Sequence, residues 1–201
     1  MSAEDYLKDI TEIKDMMNKS SRFFSLSGLS GILAGIYAIL GAIAAYYLVS
    51  ISGRNYLILD GKTFNYILID LAIVATLSAV TGIMLSMKKA KSNNESLWNS
   101  TSKRLLTAFL VPLVTGGIFI AIKIYNNHYG LTGSLMLIFY GLALVNASKY
   151  TIGNVKFLGY VEIVLGLICA TMPTYGFWFW VVGFGFMHII YGSLIYFKHD
   201  T

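Results

Sequence analysis

The chain has 201 residues, of which 56% are hydrophobic and 12% are charged. Soluble globular domains are charged at roughly a quarter of their positions, so composition excludes an ordinary soluble domain and indicates a membrane protein. The formal charge of +5 does not indicate nucleic-acid binding, because the basic residues are spread over short polar segments rather than gathered in one patch. The one cysteine, Cys169, lies in an apolar run, so we expect an inert thiol and no internal disulfide.

Residues 2–19 predict an amphipathic helix ahead of the first apolar run. Its apolar residues recur at spacings of three and four: Ala3, Tyr6, Ile10, Ile13 and Met17. The segment holds five acids and three lysines, whereas helices that bind anionic lipid are usually basic. We therefore expect residues 1–21 to form a cytoplasmic unit that packs against a protein partner or a second copy of itself. The alternative is a solvated lead-in to the first span.

The first apolar run, Phe23–Val49, contains no charged residue and is long enough to cross a hydrocarbon core of about 30 Å. It is far longer than the apolar part of a signal peptide and ends in no cleavage pattern, so we expect a permanent helix. Small residues lie four apart along two of its faces: Ser27, Gly31 and Gly35, and Ala34, Ala38 and Ala42. Such lines let a second helix approach closely in lipid, which assigns them to helix packing.

Six apolar runs predict six transmembrane helices within a domain of residues 22–201. They cover about 23–49, 64–87, 105–125, 131–147, 155–172 and 177–197. With a cytoplasmic N-terminus, 12 of the 15 lysines and arginines lie on the inner side, and only Arg54, Lys62 and Lys123 lie outside. This asymmetry follows the positive-inside rule. We therefore predict an all-α, polytopic protein of a bacterial inner membrane, with the bilayer as its surroundings and both termini in the cytoplasm.

The connections between the apolar runs indicate three helical hairpins in series. Each outward helix begins just after a basic residue, and each inward helix carries a glycine near its end: Gly82, Gly141 and Gly192. One interpretation is a repeated ancestral hairpin. The other is that any hairpin protein obeying the charge rule has this appearance.

Two glycine-flanked polar residues form the main candidate site. Glu162 lies in G159-Y-V-E-I-V-L-G166 and His188 in G185-F-M-H-I-I-Y-G192. Offsets of three and four place each polar residue on the same helix face as its glycines. Because the fifth span runs outward and the sixth returns, both side chains fall at similar depth, and we predict a Glu162–His188 contact. It is either a structural polar contact that fixes helix register or a proton- or ligand-linked site.

Asp70 is the second acid inside a predicted span, about two turns from the outer edge of the second helix. We expect it to pair with Lys123, whose long side chain can reach along the third helix. Arg54 and Asp60, in the long outer loop, are either a solute-binding pair or solvated.

Pro112 predicts a kink in the third span, because it removes an intrahelical hydrogen bond and frees the carbonyl of Ala108. The kink is either a hinge for gating or a structural feature only.

Catalytic and cofactor chemistry has little support in the sequence. Gly28–Gly31 reads GLSG and resembles the GxSG motif that carries the nucleophilic serine of rhomboid intramembrane proteases, which implies Ser30 as nucleophile with His188 on the last span. The serine stands on the first span rather than the fourth, and the second-helix histidine motif of that family is missing. His128 and His199 fall at opposite ends of the protein, so a bis-histidine haem site is not supported. We predict no cofactor, no metal and no catalytic residue.

The opening phrase S20-S-R-F-F-S-L-S-G-L-S-G-I-L-A-G35 resembles an uncharacterised family of small six-span bacterial inner-membrane proteins. The glycine-spaced hairpins are also similar to those of the HdeD-type acid-resistance membrane proteins. Both resemblances imply a six-span helical fold, and neither assigns a catalytic or binding residue.

Three functions follow from these patterns, in order of preference. The first is a non-enzymatic partner or sensor subunit that acts through residues 2–19 and its small-residue faces. The second is a small solute- or proton-coupled transporter or channel that uses Glu162 and His188, with Asp70 nearer the outside. The third is an intramembrane serine hydrolase built on Ser30.

Overall fold

The computed structural model describes residues 27–52, 61–92, 100–151 and 155–199, and these are almost entirely helical. The first five helices are α1 (Gly28–Ser52), α2 (Gly61–Ser92), α3 (Ser100–Tyr125), α4 (Thr132–Ala147) and α5 (Val155–Thr171). The last helix, α6, starts as α-helix Gly176–Trp180, continues as π-helix Val181–Met187 and ends as α-helix His188–His199. The predicted amphipathic helix of residues 2–19 and the outer-loop residues Arg54 and Asp60 lie outside the described residues.

Four helices are long and apolar enough to cross a membrane. They are α1, α2, α3 and the segment Pro173–Lys198 that contains most of α6. A helix suits the bilayer because it satisfies its own backbone hydrogen bonds, which no lipid can do. Helices α4 and α5 have 16 and 17 residues and reach only about 24–26 Å at 1.5 Å per residue, so their crossing of the membrane stays a prediction.

The outer faces of α2 and α3 show why the fold needs lipid. Ile69 and Ile83 on α2, and Val111 and Ile118 on α3, each expose more than half of their surface. Soluble proteins rarely leave apolar patches of this extent open to water. The chain is therefore an integral membrane protein, with α2 and α3 as its most exposed helices.

Helix α6 lies at the centre of the arrangement. It packs along α1 on one side, and its first half contacts the closely packed pair α4 and α5 on the other. Helix α2 packs on α1, whereas α3 packs on α4. Helix α5 therefore contacts α4 more extensively than it contacts α6, the helix that follows it in the chain.

Helices α4 and α5 meet backbone to backbone. A Cβ atom on Gly141 would lie 2.6 Å from the carbonyl oxygen of Gly159, and one on Gly159 would lie 2.8 Å from the carbonyl oxygen of Gly141. Further along, a Cβ on Gly166 would lie 3.0 Å from the carbonyl oxygen of Ser134. The Ser134 hydroxyl donates a buried hydrogen bond of 2.7 Å to the Gly166 carbonyl. This is the small-residue packing expected between helices in lipid.

Helices α1 and α6 also meet through glycines. A Cβ on Gly35 would lie 2.6 Å from the carbonyl oxygen of Gly185, and one on Gly31 would lie 3.1 Å from the Cα atom of Gly192. Ser27 stands just before α1 rather than within it. The structure thus places Gly31, Gly35, Gly185 and Gly192 at the α1–α6 contact and Gly141, Gly159 and Gly166 at the α4–α5 contact, whereas a Cβ on Gly82 would meet no atom within 4 Å.

Helix α3 continues without interruption through Pro112. The carbonyl oxygen of Ala108, which loses its usual donor because proline has no N–H, instead accepts a 2.8 Å hydrogen bond from the side-chain amide of Asn146 on α4. The lost intrahelical bond is thereby replaced by a bond between helices. Pro112 is a docking point for α4 in this structure, and whether it also acts as a hinge stays a prediction.

The Asn146 hydrogen bond gives a test by double substitution. We expect Asn146→Leu to lower the free energy of unfolding by about 1–3 kcal/mol, because it leaves the Ala108 carbonyl without a donor. Pro112→Ala restores a backbone N–H four residues after Ala108, so Asn146→Leu should cost clearly less in that background. Denaturant or thermal unfolding in detergent measures both losses.

Thr115→Val is the matched control for a lost polar group on α3. Its hydroxyl donates to the Val111 carbonyl of its own helix at 2.8 Å, so Pro112→Ala should not change the cost of removing it. Equal costs of Asn146→Leu in the two backgrounds would contradict the replacement of one hydrogen bond by the other.

Candidate functional site

The structure brings Glu162 and His188 together. Glu162 on α5 is completely buried, and His188, where the π-helix of α6 ends, is 6% exposed. His188 Nδ1 lies 3.5 Å from Glu162 Oε1. The two side chains therefore face each other in the interior, between α5 and α6.

A single glycine makes room for the carboxyl group. A Cβ on Gly183 of α6 would lie 2.5 Å from Glu162 Oε2 and 2.5 Å from a methyl carbon of Leu137. The glycines that flank Glu162 and His188 in the sequence pack against neighbouring helices instead. Gly159 contacts α4, and Gly185 contacts α1. The sequence pattern identified the two polar residues but misassigned the glycine that accommodates them.

The hydrogen bonds of His188 define its tautomer. Nδ1 lies 3.0 Å from the carbonyl oxygen of Gly183, and a carbonyl only accepts, so Nδ1 carries a proton. Nε2 lies 2.7 Å from the hydroxyl of Tyr140 on α4. In the neutral imidazole Nε2 accepts from Tyr140. In the imidazolium it donates to the Tyr140 oxygen instead.

Tyr140, Glu162 and His188 therefore form one polar cluster contributed by α4, α5 and α6, named here the Tyr–Glu–His cluster. Sequence reasoning missed Tyr140, whose Tyr-Gly pair was interpreted only as part of a hairpin pattern. In the structure Gly141, the next residue, makes the reciprocal contact with Gly159, three residues before Glu162. The α4–α5 glycine contact thus positions Tyr140 near the acid.

The π-helix of α6 ends at the cluster. Val181–Met187 form the π-helical segment, and the backbone N–H of His188 donates to the carbonyl of Gly185 while its ring contacts the carbonyl of Gly183. Short π-helical segments are uncommon and occur frequently at functional sites. The sequence predicted an ordinary helix here, because apolar periodicity carries no signal for a change of helical pitch.

The carboxyl group of Glu162 has no hydrogen-bond donor. Both of its oxygens are buried, and neither is hydrogen-bonded to any residue in the described part of the chain. Burying a polar group without a hydrogen bond is costly, and burying a lone charge is more so. The imidazole of His188, 3.5 Å from Glu162 Oε1, is the nearby group able to offset a negative charge on Glu162.

An aromatic stack continues from the cluster along α6. The His188 ring stacks on Phe184 with centroids 5.9 Å apart and planes 17° apart, and Phe184 packs on Trp180 at 5.2 Å. Tyr140 contacts Phe184 at 5.0 Å. These rings connect the cluster to a cavity near the beginning of α6.

This cavity, named the Asp70 cavity, has a volume of about 170 Å³. Asp70 of α2 lines it together with Trp180 and the loop residues Tyr129 and Thr174. The expected pair with Lys123 is not formed: within the described chain no ion pair joins these two residues, since α2 packs on α1 and α3 on α4. Asp70 packs beside Gly41 of α1 instead. The structure thus keeps Asp70 apart from Glu162 and His188.

The residues considered for other chemistry are not assembled into a site. The hydroxyl of Ser30 donates to the Ser27 carbonyl at 2.6 Å, whereas the ring nitrogens of His188 contact Tyr140 and Gly183. Cys169 is a buried free thiol. Within residues 27–52, 61–92, 100–151 and 155–199, no three His, Cys, Asp or Glu side chains are grouped as a metal ion would require.

Comparison with known proteins identified no relative, so a function has to be inferred from this geometry. No protein-family model matches the chain, and searches of curated proteins and of solved structures found no match.

A double-mutant cycle tests the Glu162–His188 contact. We expect the losses of unfolding free energy in Glu162→Gln and His188→Ala to be non-additive by about 0.5–3 kcal/mol, the range for residues in direct contact. Either substitution alone disturbs the polar neighbour of the other, so the second should cost less. Thermal and denaturant unfolding in detergent measure the four proteins of the cycle.

The control cycle combines Asp70→Asn with His188→Ala. Asp70 contributes nothing to the Tyr–Glu–His cluster, so these two losses should add. Additive losses in the Glu162–His188 cycle would rule out an energetically significant contact.

Proposed function

We propose that the chain is a non-enzymatic sensor or partner subunit in a bacterial inner membrane. One observation carries this proposal: the Glu162–His188 contact of the Tyr–Glu–His cluster is closed off from the surface. Glu162 is completely buried and His188 nearly so, and neither residue lines the Asp70 cavity or the open groove beside Pro112. A polar group that no solute can reach serves the conformation of the bundle rather than catalysis or permeation in this state.

The sensor role has further support in the connection between cavity and cluster. Trp180 lines the Asp70 cavity and packs on Phe184, which stacks on His188. An occupant of the cavity would therefore press on the aromatic stack that ends at the cluster. On the cytoplasmic side, the acidic helix predicted for residues 2–19 would pass the signal to a partner.

The proposed topology has six spans and both termini in the cytoplasm. Helices α4 and α5 reach about 24–26 Å, and the turn Ser148–Tyr150 lengthens α4 at its end. Tyr129, before α4, and Thr174, after α5, line the same cavity, which puts the α3–α4 and α5–α6 connections on one face of the protein. Lys149 stands at the far end of α4, as a crossing helix requires.

Accessibility of single cysteines tests this topology. In a Cys169→Ala background, cysteine replaces one of four exposed residues: Lys88, His128, Lys149 or Thr174. We expect an impermeant maleimide added from the periplasmic side to label His128→Cys and Thr174→Cys only, because these flank the outer ends of α4 and α5. Lys88→Cys and Lys149→Cys should react only after the membrane is opened.

Labelling of Lys149→Cys from the periplasm would show that α4 does not cross the membrane. The Cys169→Ala protein with no added cysteine, which has no thiol, gives the background of the assay.

A small solute- or proton-coupled transporter is the second candidate. The observation that favours it is the carboxyl group of Glu162, which has no hydrogen-bond donor among the described residues and lies 3.5 Å from His188. Intramembrane Glu and His residues in contact are typical of proton relays. This function requires a second conformation in which the cluster is hydrated.

Two measurements separate the candidates. For a partner subunit, we expect the tagged protein to co-purify from its native membrane with one protein in fixed stoichiometry, and deletion of residues 2–19 to abolish the complex. Lys62→Gln, an exposed change at the start of α2, should leave it intact.

Purified protein in liposomes should then show no proton flux above that of empty vesicles. A flux that Glu162→Gln abolishes would replace the proposal by the transporter.

A further inference from the structure

We propose that the Asp70 cavity binds a small organic cation with an apolar body, such as a methylated or short alkyl ammonium. This inference deepens the sensor role proposed above, because it names the class of ligand. The supporting features are the size of the cavity, the unpaired acidic group of Asp70 in its wall, and the aromatic residues of that wall.

The cavity has room for a small molecule only. Its volume is about 170 Å³, close to the roughly 150 Å³ of an engineered cavity that binds benzene. Ala42 and Ala45 form its wall on α1, where their small side chains leave space. A ligand of five to seven non-hydrogen atoms fits this space by the same comparison.

The polar groups of the cavity indicate a positively charged ligand. The hydroxyl of Thr132 is already paired with the Tyr129 carbonyl, and the hydroxyl of Tyr129 donates to the Asn127 side chain. Asp70, which lines the cavity, has no hydrogen bond or ion pair with a residue of the described ranges. An unpaired acidic group is therefore left for a ligand.

The lining does not suit a divalent metal ion. Calcium and magnesium take six or more oxygen ligands, whereas Asp70 is the one carboxylate among the cavity residues and most of the wall is apolar. Trp180, Phe177 and Tyr129 contribute aromatic rings to that wall. Aromatic faces attract organic ammonium groups, most strongly at tryptophan, so a carboxylate with these rings matches an alkylammonium.

The connections Tyr129–Gly130 and Pro173–Thr174 border the cavity. In the proposed topology this edge faces the periplasm, so the ligand would arrive from outside. The binding chemistry itself does not depend on orientation.

Tetramethylammonium is the probe for a direct test on the full-length protein in detergent. Trp98→Phe and Trp178→Phe leave Trp180 as the single indole reporter. We expect a saturable change in Trp180 fluorescence and a rise in melting temperature with tetramethylammonium chloride. Potassium chloride at equal ionic strength and tert-butanol, a neutral molecule of similar size, should give neither.

Asp70→Asn should weaken the apparent affinity for tetramethylammonium by about tenfold or more, because it removes the countercharge. Lys62→Gln on the same helix lies outside the cavity and should bind as the parent protein does. If Asp70→Asn does not fold, Trp180→Leu replaces it, with the melting temperature as readout and the same loss expected.

An equal response to tert-butanol would mean an unselective apolar pocket, and an equal response to potassium would mean a general salt effect. Either result, or unchanged binding in Asp70→Asn, overturns the assignment. Because these assays are done in detergent, they are independent of the topology and partner experiments, so the failure of one proposal is distinguishable from the failure of the other.

Discussion

Direct contact between helix backbones is the constraint on which the rest of this structure depends. Lipid gives apolar side chains no reason to prefer one another, so helices in a bilayer associate through close packing and hydrogen bonds. The reciprocal Gly141–Gly159 contact sets the height of α4 against α5, and the Gly35–Gly185 contact sets α1 against α6. These heights decide which side chains face one another between the helices. Tyr140 precedes Gly141, and Glu162 follows Gly159 by one helical turn, so the contact that joins the two helices also brings their polar groups to one level.

The π-helical segment of α6 supplies the remaining part of the cluster. Gly183 lies inside this segment; its carbonyl contacts the imidazole of His188, and its missing side chain leaves space for the carboxyl of Glu162. A larger residue there would collide with both Glu162 and Leu137. The cluster is therefore specified more by the backbone of α6 than by the pairing of two opposite charges. That explains why the ring nitrogen of His188 lies closer to a carbonyl, at 3.0 Å, than to the carboxylate, at 3.5 Å.

Sequence patterns predicted the features that depend on a single helix. Apolar run length located all six helices within a few residues, and glycine spacing identified the faces that pack. Glu162 and His188 were expected to meet because each lies on a glycine-bearing face at a similar distance along its helix. The sequence did not predict the contacts that depend on which helices become neighbours. Asp70 and Lys123 were paired by depth alone, but α2 packs on α1 and α3 packs on α4, so the two residues are held apart. Tyr140 escaped notice because a tyrosine in an apolar run is ordinary, and Asn146 because its partner, the Ala108 carbonyl, is a backbone group on another helix.

Trp180 connects two separate polar regions, the Asp70 cavity and the Tyr–Glu–His cluster. Its ring is part of the wall of the Asp70 cavity, and it is also the first ring of the stack that passes through Phe184 to His188. All three rings lie on α6 at intervals of four residues, and the π-helical segment begins directly after the first. A π-helical turn holds one more residue than an α-helical turn, so conversion of this segment to regular α-helix would rotate one end of the stack relative to the other. A cavity occupant that moved Trp180 would act on that segment, and the buried contact between Glu162 and His188 would be the part of the bundle that registers the change.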